Sequence, residues 1–160
     1  MQLRSAPSRA DAGEVGAIRS YNRRIDGPGW GLQVTFDQYI GMERYQEAGE
    51  QAGNAVTAAI RIEPHHCNPM GNVNGGVIIS LADNLSTGAA NRAYFEKTGD
   101  RRFMVGIDLH AAMLANQQGG TIRGISRIVR AGRRVTVVRT EVWGDGDRLL
   151  AEVTTTHVPV

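Results

Sequence analysis

The sequence predicts an α+β fold in which a curved antiparallel β-sheet wraps one long α-helix. Two observations carry this expectation. A continuous helical pattern of small and apolar residues runs from 75 to about 94, and β-type runs flank it, one before and four after. A helix apolar over most of its circumference needs cover on several sides, and the flanking runs can supply it as a sheet.

Residues 1–31 are polar and rich in Gly, Ser and Arg, with a weak helical pattern through Val15, Ile18 and Tyr21. They are read as the larger part of an N-terminal extension over 1–40, partly helical and loosely packed, ahead of a folded domain over 41–160. Gly27-Pro28-Gly29 marks a turn or hinge, and a short apolar segment in 32–42 leads into the first strand. The next strand is Ala55-Val56-Thr57-Ala58-Ala59-Ile60-Arg61-Ile62, followed by a loop over 63–74 rich in Pro, Asn and Gly.

In the helix, Val77, Ile78, Leu81, Ala82, Leu85, Gly88, Ala89 and Ala93 recur at helical spacing, and Lys97 followed by Gly99 ends it with a cation and then a glycine. Strand-like runs follow at 103–110, 121–129, 134–142 and 148–157. The breaks Gln117-Gln118-Gly119-Gly120, Ala131-Gly132-Arg133 and Gly144-Asp145-Gly146-Asp147 are compatible with hairpins, so the last three strands are expected to run as an antiparallel meander.

With 160 residues, 41% of them hydrophobic, the chain suits one soluble domain with a real core. No apolar run approaches the ~20 residues that cross a bilayer, and no secretory signal is evident, so a cytoplasmic location away from the membrane is expected. The lone Cys67 excludes an intramolecular disulfide framework. A formal charge of +2 does not describe a polycation, and the arginines at 123, 127, 130, 133, 134 and 139 have no interleaved aromatic residues. Nucleic acid is therefore not an expected partner. Those arginines either keep a strand face solvated or dock a small polyanion.

The chemistry concentrates between Glu63 and Thr87. Gly75-Gly76 opens the helix, where unpaired N–H groups and the positive dipole end can approach a carbonyl oxygen. Asp83 is a carboxylate within the apolar helix, and it either serves chemistry or faces solvent at a subunit edge. His65, His66 and Cys67 are metal-ligand types, but adjacent residues seldom converge on one ion and no second ligand pair stands at a recognised spacing, so no metal is expected. His110 and His157 read as ordinary strand residues.

Taken in order, Asn68-x-x-Gly71, the tripeptide ending in Gly75-Gly76, and Ala82-Asp83-Asn84-x-Ser86-Thr87 resemble the acyl-CoA thioesterases of the hotdog fold, in the branch that includes the phenylacetyl-CoA thioesterases and the thioesterase superfamily member enzymes. The likeness runs from about 41 to 159. It implies hydrolysis of an acyl-CoA thioester with Asp83 as general base or nucleophile, the Gly75 N–H polarising the carbonyl, and Asn68 binding the attacking water or orienting the acyl group. Asn68 is equally suited to capping its own turn. Asn74, Gly76, Ser86 and Thr87 are expected at the substrate site, although the two hydroxyls could instead bond back to the helix. Arg130, Arg133 and Arg134 are candidates for the CoA phosphates, CoA being part of the substrate and no separate cofactor being expected.

Asp83 follows Gly76 by seven residues, roughly 10 Å along a helix axis. Two groups that must each approach one thioester at about 3 Å can hardly do so from a single helix at that separation. A homodimer with antiparallel helices solves this, and the resemblance implies the same dimer, often paired again into a tetramer. One departure stands out: Asn74 occupies the place where many relatives carry histidine. If that histidine does acid-base work it is lost here, and if it holds the loop, Asn is a workable replacement. The alternative function is a noncatalytic acyl-CoA binding or sensing protein with the pocket retained.

Overall fold

The computed structural model describes residues 35–45 and 55–160. Of the extension expected over residues 1–40, residues 1–34 lie outside them. A single-turn helix α1 (Phe36–Tyr39) leads into β1 (Met42–Tyr45), followed by β2 (Val56–Arg61), the long helix α2 (Gly75–Thr98), β3 (Met104–Met113), β4 (Thr121–Ala131), β5 (Thr136–Trp143) and β6 (Leu149–Pro159). The strands form one sheet in the order β1-β2-β4-β5-β6-β3, and every neighbouring pair is antiparallel. This is the curved sheet around a helix that the sequence predicts.

α2 forms where expected because each end is specified locally. Asn74, in extended conformation, accepts a hydrogen bond on its side chain from the Gly76 N–H at 2.8 Å, and Gly99 closes the helix at φ 71°, in the left-handed region that favours glycine. Ile78, Leu81, Ala82, Leu85, Ser86, Ala89, Ala90 and Tyr94 are buried along it. Ile60, Ile122, Val142, Leu150 and Val153 of the sheet meet the first part of α2, with Ile40 in the same cluster; Met104 and Val138 meet Ala89, Ala90 and Tyr94 further on. Each large aliphatic side chain fully buried there contributes about 1.5–3 kcal/mol.

The sheet can wrap closely because β4 crosses the helix at a glycine. A methyl added at Gly124 would collide with Leu85 and lie 3.2 Å from Leu81 Cγ, so both leucines pack against bare backbone. β4, β5 and β6 form the expected meander, its first turn closed by the Gly132 N–H donating to Val135 O at 2.8 Å.

Three features depart from the sequence reading. β1 pairs with β2 as an edge strand, an element not separated out from the short segment leading into the fold. β3 runs on to Met113. It also pairs with β6 and not with β4, so residues 117–120 are a crossover, not a hairpin. Gly119 and Gly120 both take positive φ there, at 68° and 73°, turning the chain so that β4 starts beside β2.

Candidate functional site

The two edge strands of the curled sheet flank one strip of α2. Arg44 on β1 and Met104, Val105 and Gly106 on β3 line the same cleft of about 460 Å³ as Asp83, Asn84, Thr87, Gly88 and Asn91 of the helix. Asp83, Thr87 and Asn91 stand four residues apart, so they project on one helix face. Asp83, Thr87 and Asn91 are thus polar residues of a largely apolar helix that the sheet does not fully cover. Asn91 fixes the far side of the cleft, its Oδ1 accepting from the Met104 N–H at 2.8 Å.

Asp83 is exposed in this cleft and makes no side-chain hydrogen bond or ion pair among the described residues. Such a carboxylate keeps its lone pairs available to water or substrate. Arg44 supplies the cleft's cation: its guanidinium lies over Gly88, 3.1 Å from where a Cβ would stand. Arg44 reaches the cleft of Asp83 because β1, at the other end of the strand order from β3, lies over the same strip of α2, so nothing local in the sequence points to it.

Asn68, Asn74, Gly75 and Gly76 gather at the helix start. Asn68 Oδ1 accepts from the N–H groups of Met70 at 3.0 Å and Asn72 at 3.2 Å, which shapes the turn. The start of the helix is held in place by three further bonds: Asn74 N–H to His66 O at 2.8 Å, Val73 N–H to Gln117 O at 3.0 Å, and Asn116 Nδ2–H to Val73 O at 3.0 Å. His66 is itself buried, accepting on Nδ1 from the Glu63 N–H at 2.9 Å. Burial, and then the neighbouring His65, holds its pKa below the ordinary imidazole value. Asn74 therefore acts on the helix terminus: it takes up the Gly76 N–H and leaves the Gly75 N–H, at the first helical position, without a partner among the described residues. That donor points out of the helix at its positive end.

Thr87 lines the cleft, whereas Ser86 is buried and donates from Oγ to the Asp83 carbonyl at 2.9 Å. Arg130, Arg133 and Arg134 are exposed at the β4–β5 turn. Lys97, in the last turn of α2, donates to Ala131 O in that turn, so these arginines sit at the opposite end of the helix from Gly75. Within one chain, then, Asp83 and Thr87 share a cleft, the glycine amides lie eight and seven residues back from Asp83 along the helix, and the arginines lie beyond its other end. Among the described residues no group of three or more His, Cys, Asp or Glu is arranged to hold a metal ion, and no helix is long and apolar enough to cross a membrane.

The comparisons with known proteins agree with this architecture. Solved structures with the same fold include a thioesterase of Haemophilus influenzae, with 19% identity, TM-score 0.67 and coverage of 78% of this chain and 81% of that one. Another is a phenylacetic acid degradation-related protein of Ralstonia eutropha, with 24% identity, TM-score 0.64 and coverage of 76% and 87%. The PaaI protein of the Escherichia coli phenylacetic acid degradation operon matches at 14% identity and TM-score 0.64, covering 78% and 83%. These likenesses establish the hotdog fold. In sequence, the chain is 22% identical over 119 residues to ComA2, a candidate esterase of Bacillus subtilis, covering 74% of this chain and 89% of that protein. Residues 70–151, which span the helix start, Asp83 and most of the sheet, match the family described as the thioesterase superfamily, and the chain belongs to it.

Proposed function

We propose that the protein hydrolyses acyl-CoA thioesters, with Asp83 of one subunit and the Gly75 N–H of the other acting on the same substrate. Membership of the thioesterase superfamily supports thioester hydrolysis in general. The observation that carries the finer reading is the pairing of an unpartnered carboxylate in an open cleft with an unpartnered amide at the start of the same helix.

Asp83 serves as general base, taking a proton from water that adds to the thioester carbon, or as nucleophile, adding to that carbon itself. In either case negative charge develops on the carbonyl oxygen, where the Gly75 N–H and the helix dipole are strongest. The C–S bond then breaks: in the general-base route the CoA sulfur takes the proton that Asp83 removed from water, and in the nucleophile route CoA leaves as the thiolate, protonated by solvent, and water then hydrolyses the anhydride on Asp83 to release the acid. Water, a carboxylate and a backbone donor suffice, so the reaction asks for no cofactor.

The eight residues between Gly75 and Asp83 correspond to about 12 Å of helix, too far for one thioester. β3 supports a two-chain solution. It is an edge strand whose Ile107 and Met113 are 60% and 45% exposed, the kind of edge that pairs with another copy. Met113 Cε lies 3.6 Å from where a Cβ on Gly75 would be, while Gly106 lies beside Asp83. A two-fold axis through the middle of β3 therefore brings the Gly75 end of one chain against the Asp83 end of the other. Thr87 would face the acyl group, and Arg130, Arg133 and Arg134 would take the CoA phosphates from the rim. The cytoplasm, and a dimer or a dimer of dimers, complete the proposal.

Thiol release from short, medium, long and aromatic acyl-CoAs tests it. Turnover should fall by roughly 10²–10⁴ in Asp83→Asn while acyl-CoA binding persists. Binding without turnover by the unaltered protein would favour the acyl-CoA sensor instead.

A further inference from the structure

Among the buried titratable side chains that the proposed chemistry leaves unused, His157 lies nearest to Asp83. His157, on β6, is fully buried; its Nε2 lies 2.9 Å from Thr155 Oγ1, and its Nδ1 has no hydrogen-bond partner. An orphaned polar nitrogen in a core is costly and uncommon, so its surroundings bear inspection.

The strand register shows what it faces. His157 pairs with Gly106 on β3 and with Thr136 on β5. Where Gly106 would carry a Cβ, that atom would lie 3.7 Å from His157 Nδ1 and 3.8 Å from Asp83 Oδ1. Imidazole and carboxylate thus border the same small space, which is open because residue 106 has no side chain. On the other flank Thr136 is buried and uncharged, and Thr155 on the same strand is uncharged too. Among the described residues, Asp83 is the charged group whose field acts on the imidazole. Burial, the larger effect, holds the pKa of His157 below the ordinary imidazole value, and Asp83 opposes it. At neutral pH the ring is therefore neutral and carries a single N–H.

We propose that His157 is a positioning residue for Asp83, facing the carboxylate from Nδ1 across the side-chain gap at Gly106. The Thr155 hydroxyl donates to Nε2, which leaves the proton on Nδ1 as a donor toward Asp83. Asp83 makes no side-chain hydrogen bond or ion pair among the described residues, so the pull of this N–H across the gap selects the orientation in which its carboxylate meets the thioester. The inference rests on Asp83 being the catalytic carboxylate, as proposed above.

Two readouts test it. In the first, the imidazole of His157 is followed by NMR from about pH 4 to 8 in the unaltered protein and in Asp83→Asn. Removing the charge should move the His157 titration to lower pH; an unchanged midpoint would overturn the coupling. In the second, Gly106→Ala places a methyl in the shared space at ordinary contact distance from all three neighbouring atoms, so the fold should be retained. Its kcat should drop about tenfold to a hundredfold with KM nearly constant. His157→Asn, which keeps a donor near the Nδ1 position, should retain more of kcat than His157→Gln. Equal kcat in Gly106→Ala and the unaltered protein would refute the positioning role. If Asp83→Asn itself leaves thiol release intact, the catalytic assignment of Asp83 fails; if release is lost but His157 titrates independently of Asp83, only the positioning role fails.

Discussion

Replacing Gly75 by proline removes the amide proton proposed to bind the thioester oxygen and little else. Position 75 is the first residue of α2, where a helix tolerates proline because that N–H has no intrahelical partner. The residue before it, Asn74, sits at φ −64° and ψ 132°, which is the extended region a following proline requires. The Cβ of the new residue is accommodated as well, since it would meet only Met113 Cε, at 3.6 Å. The bond from the Gly76 N–H to Asn74 Oδ1 is left in place. Folding should thus be neutral, or gain about 0.4–1 kcal/mol through restriction of the unfolded chain. Catalysis should lose the contribution of one oxyanion donor, about 10²–10³ in kcat or ~2.7–4 kcal/mol. Circular dichroism and thermal melting check the fold, and thiol release measures kcat. A well-folded Gly75→Pro protein within a few-fold of normal kcat would refute the amide's role.

Gly124→Ala forces a methyl against Leu85 and Leu81, and urea unfolding should register a loss of about 1–3 kcal/mol. Combining it with Leu85→Ala should cost less than the sum of the two single changes, because the same collision is relieved. Gly88→Ala meets only the mobile end of Arg44, so it should stabilise the helix by about 1 kcal/mol while moving the guanidinium off the cleft, as a crystal structure of the variant would record. His66 gives a pH signature. Its pKa is lowered on folding, so below the ordinary imidazole value the unfolded chain binds the extra proton and stability falls as the pH drops through and below about 6.5. Compared between pH 7.5 and 5.5, the loss of unfolding free energy should be smaller in His66→Gln.

The helix and the meander were legible because their signals are local. Small apolar residues at helical spacing, Gly99 past the last turn, and strand runs parted by glycine turns lie close together in sequence. β1 was not, since Met-Glu-Arg-Tyr has no clear alternation and its position rests on pairing with β2. The crossover of β3 to β6 was equally hidden. Its partners are 38 to 55 residues apart, and the glycines of 117–120 look the same in a hairpin as in a crossover. At the site, Asp83 and the glycine pair stood out because an acid in an apolar helix and a twin glycine at its start are anomalies of local pattern. Arg44, Gly106 and His157 did not, because each reaches the neighbourhood of Asp83 only through the curl or register of the sheet. Ser86 matched the family motif but faces the helix backbone, a distinction fixed by one residue's rotation around α2.

The most direct measurement joins two defective chains. Asp83→Asn and Gly75→Pro, each expected to be inactive alone, are co-expressed with different tags, and oligomers carrying both are assayed for thiol release. With each site drawing Asp83 from one subunit and Gly75 from the other, a mixed dimer holds one site with both defects and one with neither, so the selected mixed dimers should show about half of normal activity. Mixed oligomers as inactive as their parents would contradict a site shared between subunits.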